Sequence, residues 1–218
     1  MTETVPVYLE IGEKRVFAAA LEWPGWTRSA RDERGALESL AAYAPRYASV
    51  PKAARIEFAP GAKPSFKVVE RVKGNATTDY GAPGIAASID AEPLTLSEAE
   101  RIGSLLAASW KIFDAAVAKA PAELRKGPRG GGRDRDKIAD HILDAESAYA
   151  RKLGLKLKTP TRDDKAAVHA TRTAIRDAIR ASAGGPQTGE NRWPPRYLAR
   201  RMAWHLLDHA WEIEDRSA

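Results

Sequence analysis

From Thr95 onward, apolar residues recur every three or four positions in four stretches broken by Pro and Gly, which is the period of amphipathic helices. Thr95-Leu-Ser-Glu98 has the capping-box pattern and predicts a helix running to about Ala118, limited by Pro121. A second helix is predicted from Asp134 to about Leu153, ended by Gly154. A third runs from Thr161 to about Ser182, between Pro160 and Gly184-Gly185-Pro186, and Pro194-Pro195 starts a fourth that reaches about Asp215. Four such segments predict an up-and-down four-helix bundle whose longer connections line a site.

Before Thr95 the period shortens. Val5 to Ile11 and Arg15 to Leu21 are β-prone runs around Gly12-Glu13-Lys14, a hairpin signature, and Trp23-Pro24-Gly25-Trp26 reads as a turn. Asp32 is placed to cap a helix reaching Tyr47, with Ala36, Leu37, Leu40, Tyr43 and Ala44 at helical spacing and Pro51 closing the unit. Ala54 to Phe58 and Ser65 to Val72 are strand-like, joined through Pro60-Gly61-Ala62-Lys63-Pro64, and Ile85 to Ile89 alternates as a final extended piece. The fold class is therefore α+β, with a small α/β domain over residues 1–92 and the helical bundle over residues 93–218.

Composition narrows the chemistry. With no cysteine, disulfides, thiolate ligation and a cysteine nucleophile are excluded, so any thiol has to come from solution. A charge of +6 invites a nucleic-acid reading, but acidic residues are interleaved and no alternation of basic and aromatic residues appears, so nucleic acid is not expected as a partner. No apolar run approaches the roughly 20 residues of a membrane span, and no apolar leader follows Met1, so no membrane partner and a cytoplasmic location are expected. One basic, glycine-rich stretch, which carries Arg129 and Arg133, reads either as an anion-receiving loop or as a solvated one.

The chain has four histidines, and three of them fall on the inner edges of two predicted helices. His205 and His209 are four apart, so both rings point to one side of the last helix. On a helical wheel His209 shares the stripe of Leu198, Met202, Leu206 and Ile213, with His205 at its edge. His141 flanks the stripe of Ile138, Ile142, Ala145 and Tyr149 on the second helix. The three rings can converge into a three-nitrogen site with open positions, as a catalytic zinc needs, or the pair can be packed and hydrogen-bonded. The motif is H-L-L-D-H and not H-E-x-x-H, so the glutamate base of a zinc protease is missing. Asp208 and Glu212 lie near the two histidines, either to orient an imidazole or act as a base, or as a solvated acidic face near Arg200, Arg201 and Arg216. His169 reads as a surface residue, and Trp110, Phe113, Trp193, Trp204 and Trp211 read as core or seam.

The segments D-K-I-A-D-H-I-L-D-A-E-S-A-Y and R-Y-L-A-R-R-M-A-W-H-L-L-D-H-A-W-E-I-E-D resemble the second-helix histidine and last-helix H-x-x-x-H of DinB-like four-helix metalloproteins. That group includes thiol-dependent transferases and isomerases. The resemblance covers Leu94 to the C-terminus and implies that His141, His205 and His209 bind a divalent transition metal, zinc or nickel. The N-terminal Y-L-E-I-G and A-A-L-E-W-P-G-W-T-R-S-A-R-D-E-R-G-A-L-E-S-L are similar to HicB-type antitoxin domains, which usually carry a DNA-binding tail. Here the helical part follows instead.

Together these readings lead to a metal-dependent enzyme that joins a low-molecular-weight thiol to a small electrophilic substrate. Asp208 or Glu212 would assist as catalytic groups, and Arg129 and Arg133 would hold the thiol's carboxylate. The competing expectation is a metal-binding sensor whose N-terminal module binds a protein partner. A homodimer through bundle faces is expected in either case.

Overall fold

The computed structural model describes residues 4–127, 131–186, 189 and 191–217. A small mixed sheet comes first and several helices follow. Strands β1 (Thr4–Ile11) and β2 (Val16–Ala20) form the expected hairpin, and β3 (Thr27–Ala30) adds to β2 antiparallel. Strand β4 (Ser65–Lys73) joins the opposite edge, parallel to β1, so the order is β3-β2-β1-β4. A register shift between Val7 and Tyr8 leaves Val69 as the extra residue on β4.

Helix α1 (Glu33–Ala42) starts where expected, with the Asp32 carboxylate accepting the Gly35 amide at 2.7 Å. The single helix expected to Tyr47 is instead broken into α1 and α2 (Ala44–Tyr47), and a further helix, α3 (Ser49–Ala54), follows with Pro51, expected to close the unit, inside it. Proline is tolerated there because the first turn of a helix has no intrahelical partner for its N–H. The strand expected over residues 54–58 does not form: Ala54 ends α3 and Arg55 adopts a left-handed conformation at φ 58°. Its apolar residues serve the core from a loop, where Phe58 meets Trp23 and Trp26 edge-on at 5.0 and 5.3 Å. The extended piece expected at residues 85–89 becomes a loop leading into a 3-10 turn at Ser88–Ala91. Before it, α4 (Ala76–Tyr80) is capped by Asn75.

The remaining helices are α5 (Leu96–Lys119), α6 (Arg135–Lys152), α7 (Lys165–Ala181) and α8 (Pro195–Ser217). Thr95 and Glu98 make the reciprocal capping box at the start of α5. The third helix begins at Lys165 and not at Thr161, with Asp164 accepting the Ala167 amide at 2.9 Å. These four helices share one core that includes Leu106, Trp110, Phe113, Ile138, Ile142, Ile175, Leu198, Met202 and Leu206.

A second core lies against the sheet and does not stop at the helices. Val5, Val7, Leu9 and Ala18 from the strands, with Trp26, Leu40 and Tyr47, bury together with Leu105 and Ala108 of α5 and Leu207 and Trp211 of α8. Helix α8 thus gives one face to each core. The approach is close at Gly25, where a β-carbon would sit 2.5 Å from Leu207 Cδ1, and its φ of +93° also favours glycine. On the other side of the sheet, Phe17 meets Trp204 edge-on at 6.0 Å. The Asp90 carboxylate accepts two hydrogen bonds from the buried Arg200 guanidinium, at 2.7 and 2.5 Å, and ties the 3-10 turn to α8. Among the described residues, no helix is long and apolar enough to cross a membrane.

Candidate metal centre

Two helices supply the site. His141 lies in the second turn of α6, whose start is held by Asp134: its carboxylate takes the Leu124 amide at 3.1 Å and the Lys126 ammonium. His205 and His209 lie one turn apart on α8, opposite His141. One ring nitrogen from each histidine falls within 4.8 Å of the others. His141 Nε2 and His205 Nε2 are 3.1 Å apart. Two imidazole nitrogens sharing one tetrahedral zinc at ~2.05 Å lie about 3.3 Å apart, so this spacing suits a common ion. The donor set, three imidazoles without a carboxylate or thiolate, fits a divalent transition ion of borderline softness.

Each ring is fixed by what holds its far side. His209 Nδ1 donates to Glu212 Oε2 at 2.7 Å, which leaves Nε2 as the free lone pair. Glu212 Oε1 accepts from Arg216 Nη1 at 2.6 Å, and Arg216 Nε donates to the Arg125 carbonyl at 2.8 Å. The hydrogen bond from His209, with Arg216 alongside, holds the Glu212 carboxyl below the usual range against the opposing effect of burial. His205 Nδ1 faces the Tyr149 hydroxyl at 3.4 Å, and its ring stacks on Trp204 with centroids 5.8 Å apart. Burial, then the neighbouring His209 and His141, then Arg201 and Arg133, push His205 down to about 2. His141 is lowered too, first by burial and next by His209. Both imidazoles are neutral at physiological pH and ready to ligate.

The other expected site residues fare differently. Glu212 is at the site, but its two oxygens are engaged by His209 and Arg216, so it positions the His209 ring. Asp208 is drawn away: it pairs with Arg28 of β3 at 3.1 Å and makes no hydrogen bond to the three rings among the described residues. The Arg28 guanidinium that claims it lies 3.8 Å over the Tyr43 ring, a non-local contact with no local signal. Arg133 is exposed just before α6, close enough for its charge to act on both His141 and His205. Arg129 lies outside the described residues. His169 is exposed on α7.

Sequence reasoning passed over three site residues. Tyr149 reads there only as part of the inner stripe, Trp204 as core or seam, and Arg201 as a basic neighbour of an acidic face. Tyr149 and Arg201 lie eight after His141 and four before His205, so helical spacing from the histidines was the available signal. No family model matches this chain, and neither does any curated protein or solved structure.

Proposed function

We propose that the protein is a metal-dependent enzyme of the DinB-like type, a transferase or isomerase in which a low-molecular-weight thiol attacks a small electrophile. The observation that carries this reading is the convergence of His141, His205 and His209. Neutral imidazoles leave the ion's charge uncompensated, so an ion held there, zinc or nickel, supplies Lewis acidity that favours a thiolate over a thiol.

The chain's own residues do the rest. Glu212 fixes the His209 ring with Nε2 turned to the centre. Trp204 and Tyr149 pack against His205, and Arg133 and Arg201 bring positive charge near it. Positive charge beside His205 favours anionic reactants and disfavours its protonated form. Without an internal cysteine, the sulfur nucleophile must be a second substrate.

The first test is metal content by elemental mass spectrometry on untagged protein, wild type against His205→Ala. About one equivalent of transition metal is expected in the wild type and a large loss in the variant. The second is conjugation of 1-chloro-2,4-dinitrobenzene with an added thiol: the carbon–sulfur bond forms, chloride leaves and the thiol proton goes to buffer. Metal-dependent turnover lost in His205→Ala supports the reading. Full metal occupancy with no conjugation across a panel of thiols and electrophiles would favour the sensor reading instead.

A further inference from the structure

A charge beside the histidines, Arg201, has the Tyr149 hydroxyl as a hydrogen-bond partner but no carboxylate among the described residues. Arg201 lies one turn before His205 on α8, so the two side chains share a face. Its guanidinium carbon is 4.8 Å from the Trp204 ring centroid and 5.9 Å from that of Tyr149, the two rings that also flank His205. The Nε and Nη1 donors of Arg201 are buried without an acceptor. Four other arginines, Arg28, Arg162, Arg200 and Arg216, also carry a buried donor without an acceptor, but each holds a carboxylate: Asp208, Asp136, Asp90 and Glu212 in turn. Arg201 makes no ion pair among the described residues. A cation held by aromatic faces beside a cationic metal centre is costly unless an anion completes it.

We propose that Arg201 is the anion subsite of this centre, and that the substrate or thiol carries a carboxylate, set several bonds from its metal-seeking atom, that pairs with the Arg201 guanidinium. This rests on the proposed function and specifies its ligand: an organic thiol acid in preference to a neutral thiol. The spacing follows from the helix. Side chains one turn apart are separated by about 6 Å, which a three-carbon chain between sulfur and carboxylate spans. A guanidinium also suits a carboxylate in charge and hydrogen-bonding capacity, and Nε and Nη1 of Arg201 are donors still without an acceptor.

The probes are 4-mercaptobutyrate and its methyl ester, which differ in that charge. Binding to metal-loaded protein is followed by calorimetry, for the wild type, Arg201→Gln and Arg201→Lys. The acid is expected to bind about tenfold or more tighter than the ester in the wild type, as for a hydrogen-bonded charge pair. The preference should collapse towards unity in Arg201→Gln and partly return in Arg201→Lys, with metal content the same in all three. In the wild type, the nitrogen-15 resonance of Arg201 Nε should move with the acid and not with the ester, a readout that needs no variant. Equal affinities in the wild type, an undiminished preference in Arg201→Gln, or an unmoved resonance would overturn the subsite while leaving the metal centre standing. Wild-type protein that binds no metal would overturn the proposed function and the subsite with it.

Discussion

Removing the Asp90 carboxylate tests how the sheet and the helices are joined. Asp90 is fully buried and Arg200 is 4% exposed, so neither charge has water to fall back on. Asp90→Ala deletes the acceptor of two Arg200 hydrogen bonds and of the Ala87 amide, which donates to the same carboxylate at 2.8 Å. The Arg200 Nε is already buried without an acceptor, so the guanidinium would lose the one carboxylate it pairs with among the described residues. Breaking a buried pair from one side costs about 3–5 kcal/mol. Against a typical stability of about 5–15 kcal/mol, that is about a fifth or more of the total. Chemical unfolding should show the denaturation midpoint falling accordingly in Asp90→Ala. The double variant Asp90→Ala with Arg200→Met should lose at least about 2 kcal/mol less than the two single losses added together, because it strands no charge. A single-variant loss below about 1 kcal/mol, the range of exposed ion pairs, would refute the reasoning.

Three further outcomes follow from other contacts. Gly25→Ala drives a β-carbon into Leu207, so it should destabilise by about 1–3 kcal/mol more than Gly61→Ala, which is also left-handed but open; equal losses in denaturant titrations would deny the clash. Glu98 is held below its ordinary value of 4.5, first by the Thr95 amide, so its contribution is present above that value and lost as pH falls through the lowered one. The stability gap between wild type and Glu98→Gln should therefore be about 0.5–1 kcal/mol at neutral pH and close in acid; a gap that persists at low pH contradicts the capping role. Glu212→Gln should weaken metal affinity by about 10–100-fold in competition titrations with a chelator, whereas an unchanged affinity would make Glu212 a bystander to His209.

Local pattern alone disclosed much of the helical half. Helical periodicity and the Thr95–Glu98 box placed α5, α6 and α8 to within a residue or two, because these signals arise within a few turns of chain. The spacing of His205 and His209 put both rings on one side of a helix for the same reason. The first hairpin was also legible, since its strands are adjacent in sequence and share one turn.

Contacts between distant segments decided the rest. Strand β3 has the unpromising sequence T-R-S-A and is strand because β2 offers it an edge, and β4 is parallel to β1 because the helices between them carry the chain across. Residues 54–58, apolar at Ala54, Ile56 and Phe58, look like a strand to a local rule, yet they join no sheet among the described residues and Phe58 packs among the aromatic rings. The same holds at the site. That His141 meets His205 depends on how α6 packs against α8, which no spacing encodes. Asp208 and Glu212 are both acidic residues next to the histidines in sequence, and their roles diverge because Arg28 of β3 claims one while His209 and Arg216 claim the other. Sequence determined which residues could ligate or pair, since that is a property of side-chain chemistry and helical period. Tertiary structure decided which partner each one found, because burial makes an unpaired charge too costly to leave and the nearest opposite charge is set by the fold.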